Sequence, residues 1–79
     1  MNYTKTSIIC SHRVKSLRSL ANISIEELSN KIHISYKVIW NCEYMFKIPC
    51  ITDLLMIANY FSVSIDYILG RTDNPNINK

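Results

Sequence analysis

A single glycine and two prolines in 79 residues leave too few chain breakers for the many tight turns of a sandwich or barrel, which points the chain toward helices. No stretch approaches the roughly 20 apolar residues that a bilayer span needs. Even the segment from Leu54 to Val63 is interrupted by Asn59 and Tyr60, so a membrane protein is not expected. The opening residues, Met1 to Thr6, lack the basic-then-apolar order of a secretory signal, and a cytoplasmic setting is the expectation. A C-x-x-C pair is missing too: Cys10, Cys42 and Cys50 are an odd number at spacings of 32 and 8, which argues against a disulfide framework. His12 and the isolated His33 do not complete a zinc-ligand spacing with them, and no cofactor or metal is expected. Cys10 and Cys42 read instead as small buried hydrophobes. Without a glycine-rich phosphate loop or a nucleophile set beside a base, the chain is not expected to be an enzyme.

What is present is a folding composition. Apolar residues make up 48% against 19% charged, too apolar for a disordered chain, and the length allows one core and one domain. Nine Lys and Arg against six Asp and Glu give +3, which favours an anionic partner. That charge is unevenly placed: residues 13 to 70 hold six basic and five acidic side chains, and the ends of the chain supply the other two units.

The spacing predicts five helices. Ile9, Cys10, Val14, Leu17, Leu20 and Ala21 recur at three and four, the mark of a helix with one buried stripe. Ser24-Ile25-Glu26-Glu27 reads as a capping box that opens a second helix carrying Leu28 and Ile32 inward. Ser35 offers the next N-cap, and a third helix runs from Tyr36 through Val38, Ile39 and Cys42 to about Tyr44, ending before Pro49. Cys50 or Thr52 opens a fourth, the most apolar, which is expected to run through the centre of the bundle. Ser64 caps a short last helix stopped by Gly70. Residues 7–70 form the expected domain, with polar tails at 1–6 and 71–79, the second expected to be mobile.

Two short helices joined by a brief break within residues 24–44 have the layout of a helix-turn-helix. The residues that fill the layout are more specific. Arg13 to Arg18, Ile23 to Ser29, Ile32 to Ser35, Ile39, Glu43, Pro49, Leu54-Leu55, Ile57-Ala58 and the closing Val63-Ser64-Ile65-Asp66-Tyr67-Ile68-Leu69-Gly70-Arg71 resemble the XRE family, the lambda-repressor-like helix-turn-helix domain of phage Cro and repressor proteins. The resemblance covers residues 12–73 without a gap, and the closing motif is typical of bacterial, phage and mobile-element members. It implies an all-α, compact five-helix domain that binds double-stranded DNA as a transcriptional regulator or repressor, usually as a homodimer reading two half-sites. It also implies a structural ion pair between Arg18 and Glu43, and a dimer contact near Tyr60, Tyr67, Ile68 and the tail.

The surface that such domains turn to DNA is altered here. The family's glutamine opening helix two is Ile25, and the exposed positions of helix three, aligned through Ser35 and Glu43, are Tyr36, Lys37, Trp40 and Asn41. The turn glycine is His33, and the Asn-Gly that follows helix three has become Tyr44-Met45, followed by Phe46-Lys47. Asn41 is suited to adenine, Lys37 to guanine or phosphate, Ser35 to either, and Tyr36 to phosphate or a thymine methyl, with Lys47 as the remaining basic residue after the helix. Ile25, Tyr36, Trp40, Tyr44, Met45 and Phe46 form an apolar set. Folded back, Phe46 and Ile48, next to Pro49, would enlarge the core. Turned outward, Trp40, Tyr44, Met45 and Phe46 have the composition of a protein interface. The alternative to a DNA-binding regulator is therefore an adapted helix-turn-helix domain that binds a protein or seals a dimer, such as an antirepressor or an inhibitor of a host defence system.

Overall fold

A computed structural model describes residues 3–76; the outer ends of both expected tails, 1–2 and 77–79, lie outside the described residues. The described residues form five helices and no strand: α1 (Lys5–Leu20), α2 (Ile25–Ile32), α3 (Tyr36–Tyr44), α4 (Ile51–Phe61) and α5 (Ile65–Ile68). α1 packs on α3 and α5, α2 on α3 and α4, and α4 on α5. Leu28, Ile39, Ile57, Ile68 and Val14 are fully buried where these helices meet.

Each helix start is explained by its cap. Thr4 accepts the Ser7 N–H at 3.0 Å, which starts α1 four residues earlier than its apolar spacing indicates and draws Lys5 and Thr6 out of the expected tail. Ser24 accepts from Glu27 N–H while the Glu27 carboxylate accepts from Ser24 N–H, completing the capping box. Ser35 and Ser64 cap α3 and α5 in the same way. Cys50 stands at the N-cap of α4 without a side-chain cap bond.

The helix ends explain how one glycine suffices. Asn22, His33, Ser62 and Gly70 are left-handed, and beyond each the next N–H reaches back five residues, to Arg18, Ser29, Ala58 and Asp66 respectively. Only Gly70 adopts that geometry without strain, and a Cβ there would lie 2.8 Å from two carbons of Ile9.

Burial corrects three expectations. Leu20 is 83% exposed, because it sits more than a third of a turn from the stripe of Ser7, Cys10, Ser11 and Val14 that α1 buries. α4 does not run through the centre: it buries Leu54, Ile57 and Ala58, while Ile51, Leu55, Met56 and Tyr60 face outward. The second tail is tied down as far as the structure describes it. Arg13 donates to the carbonyls of Tyr67 (2.6 Å) and Thr72 (2.7 Å) and to Asp73 (2.9 Å), with its guanidinium over the Tyr67 ring, and Ser64 N–H donates to Pro75.

The Arg18–Glu43 pair is formed. Arg18 Nε and Nη2 donate to the two Glu43 carboxylate oxygens at 2.7 and 2.9 Å, and Nη1 donates to the Ile23 carbonyl at 2.8 Å. The Glu43 side chain is fully buried, and its hydrogen bonds hold the Arg18 guanidinium above its ordinary pKa. Removing one partner leaves the other charge buried and uncompensated, at a cost on the order of 3–5 kcal/mol. Charge reversal at Glu43 (Glu43→Lys) is therefore expected to abolish cooperative thermal unfolding followed by circular dichroism; a folded variant melting near the parent would refute the pair's role.

Cys10 and Cys42 meet across the α1–α3 contact with sulfurs 3.8 Å apart, both buried as expected. The contact with Cys10 and burial push the Cys42 thiol up, which keeps it protonated and unreactive. Cys50 is exposed. A native thiol titration should accordingly label Cys50 alone, with Cys10 and Cys42 reacting only after denaturation.

Candidate nucleic-acid interface

α2 and α3 are joined by a three-residue break, His33-Ile34-Ser35. Ile34 is buried and anchors the break, while His33 takes the left-handed conformation at φ 56°, ψ 41°. The left-handed position of the turn is thus occupied by a histidine where the XRE resemblance places glycine. α2 uses Ile25, Leu28, Ser29 and Ile32 to pack inward, so Ile25, expected on the outward face, belongs to the core. The reason is the helical period: 25, 28, 29 and 32 share one side.

α3 divides cleanly. Ile39, Cys42 and Glu43 are buried and Val38 is half-buried, leaving Tyr36, Lys37, Trp40 and Tyr44 exposed, with Asn41 at the margin. Tyr36, Trp40 and Tyr44, four residues apart, form one row along the helix. Trp40 is 38% exposed and its ring lies 5.3 Å from that of Tyr44, so the tryptophan is not absorbed into the core. Lys15, reaching across from α1, sets its ammonium 4.8 Å from the centre of the Tyr44 ring. Nothing in the local spacing links 15 to 44; only the packing of α1 on α3 brings them together.

The segment after α3 departs from expectation by one residue. Met45 stands where the family has glycine, yet it is right-handed at φ −110°, and Phe46 is left-handed at φ 54°. The Asn41 carbonyl accepts from both Met45 and Lys47 N–H groups, which closes the helix one residue later. Phe46 is half-buried with its ring 4.8 Å from that of Tyr3, so it folds back on the domain, whereas Met45 and Ile48 stay exposed. Asn41 and Lys47 line one groove of about 230 Å³ with Val38, Pro49 and Asp53. Ser35 is exposed, with its hydroxyl engaged by Lys37 N–H at 3.3 Å. Of the residues expected near a dimer contact, Ile68 is fully buried, Tyr67 lies beneath Arg13 and Tyr60 is exposed. Among the described residues no three His, Cys, Asp or Glu side chains gather as metal ligands.

Residues 25–44 form a helix-turn-helix. The chain is similar to the "Uncharacterized HTH-type transcriptional regulator YobD" of Bacillus subtilis (strain 168), at 36% identity over 63 residues, 80% of this chain and 56% of that protein. The chain thus spans about half the length of the curated relative it matches. No family model and no solved structure matches.

Replacing His33 by glycine should remove left-handed strain that a β-carbon imposes, raising the unfolding free energy by about 0.5–1 kcal/mol. Urea unfolding with an unchanged slope is the measurement; a loss of stability would show that the imidazole contributes more than its backbone costs.

Proposed function

We propose that the chain is a DNA-binding transcriptional regulator of the XRE helix-turn-helix family, of phage, mobile-element or bacterial origin, acting in the cytoplasm and laying α3 in a major groove. The observation that carries this reading is the outward side of α3. It holds Lys37 and Asn41 at one margin, with Lys47 just beyond the helix, on the element that a helix-turn-helix presents to base edges. The similarity to a regulator named as HTH-type supports it. The longest dimension of the domain, 34 Å, is about one helical turn of DNA, so one copy suits one half-site and a homodimer suits a pair. No helix among the described residues is long and apolar enough to cross a membrane.

A second reading has its own support. The exposed Tyr36–Trp40–Tyr44 row and Met45 carry the aromatic and methionine enrichment of a protein interface centre, which fits an adapted domain that binds a protein or closes a dimer. The two readings respond differently to salt.

Fluorescence anisotropy against duplex DNA flanking the gene should show affinity falling steeply with salt, because each phosphate contact releases counterions. Lys37→Ala combined with Asn41→Ala should abolish sequence preference. Affinity insensitive to salt, or function retained in the double variant, would count against this reading and favour the protein-binding one. In that case Trp40→Ala should weaken the partner or dimer by at least about 2 kcal/mol.

A further inference from the structure

The hydrogen-bonding inventory of α3 is unusually one-sided. Between Ile25 and Lys47 there is no arginine and no glutamine. Guanine is read in the major groove by bidentate arginine or lysine, and Lys37 is the one cation on α3. Cytosine offers an amino donor that calls for a carboxylate. The carboxylate of α3 is Glu43, which is fully buried with both oxygens engaged by Arg18. Adenine is served by Asn41, whose amide suits its N6 and N7. What remains exposed is apolar and aromatic: Tyr36, Trp40 and Tyr44, with Trp40 and Tyr44 in contact and Tyr44 braced by Lys15. Thymine is the base that presents an apolar group in the major groove, its C5 methyl.

We infer that α3 selects an A·T-rich half-site, with the Tyr36–Trp40–Tyr44 row packing on thymine methyl groups and Asn41 pairing with a neighbouring adenine. The inference rests on the DNA-binding reading above and names the sequence class that this face takes. The eight steps from Tyr36 to Tyr44 advance by about 12 Å at roughly 1.5 Å each, which spans roughly three to four base pairs at about 3.4 Å per step. Lys15 and Lys37, beside the row, carry charge suited to the flanking phosphates. Covering three exposed rings with methyl groups removes apolar surface from water. Specificity would then come from these apolar contacts and the Asn41–adenine pair together.

The test is selection of the full chain on a randomised duplex pool, followed by anisotropy on the selected duplex with single thymines replaced by deoxyuridine, which lacks only the methyl. The expected result is an A·T-rich core in which each contacted thymine loses roughly three- to fivefold in affinity on replacement. Trp40→Ala should bind the thymine duplex more weakly and no longer distinguish deoxyuridine. Tyr36→Ala, at the most exposed ring of the row, gives the same readout at a neighbouring position should Trp40→Ala fail to fold. A G·C-rich core, or deoxyuridine tolerated without loss, overturns the inference while salt-dependent DNA binding stands. Salt-dependent binding with no sequence preference does the same. Failure to bind any duplex at low salt, or a Trp40→Ala chain that loses only self-association, overturns both.

Discussion

The buried pair between Arg18 and Glu43 joins three parts of the molecule that share no other ion pair among the described residues. Two guanidinium nitrogens hold the carboxylate at the end of α3, the third N–H group holds the Ile23 carbonyl in the α1–α2 turn, and Ser11 takes the Glu43 carbonyl at 2.7 Å. A pair of this kind adds little net stability over a well-packed apolar substitute, because both charges must be desolvated. Its contribution here is orientation. The bidentate geometry and the two carbonyl bonds allow α3 a single rotation relative to α1, and that rotation decides which residues of α3 face outward.

Around this anchor the chain tolerates strain in its helix ends. Among the described residues five are left-handed and one of them is glycine. Asn22 and His33 are of the types that accept the geometry at smaller cost, but Ser62 and Phe46 have no such allowance. Two of the five, His33 and Phe46, bracket α3. The buried Ile34 and the Phe46 ring, tilted against Tyr3, offset the strain by packing, so the ends of α3 are held by side chains where glycine would leave them freer.

The same packing sets what the surface offers. A domain this small cannot enclose all its apolar residues, and most of those left outside fall into two groups, one on and just after α3 and one on the outer side of α4, with Tyr3, Ile8 and Leu20 apart from both. The α3 group is ordered by ring contacts and by Lys15, which turns scattered aromatics into a continuous row beside Lys37 and Asn41. Charge contributes less than the formal +3 implies: residues 13–70 carry +1, and Arg13 and Arg18 are committed to carbonyls and carboxylates.

Sequence alone determined the number of helices, most of their ends, the caps Ser24, Ser35 and Ser64, the Arg18–Glu43 pairing and the outward placement of Trp40. These follow from interactions between neighbours or from the helical period, and for the ion pair from the family resemblance. Tertiary structure decided the remainder. α4 lies at the rim because its partners cover one side only. The left-handed residue after α3 is Phe46 because closure on the Asn41 carbonyl and the ring of Tyr3 fix it there. The second tail is docked because Arg13, some sixty residues earlier, supplies the donors for it. Each of these depends on contacts between segments distant in the chain, which no window of neighbouring residues contains.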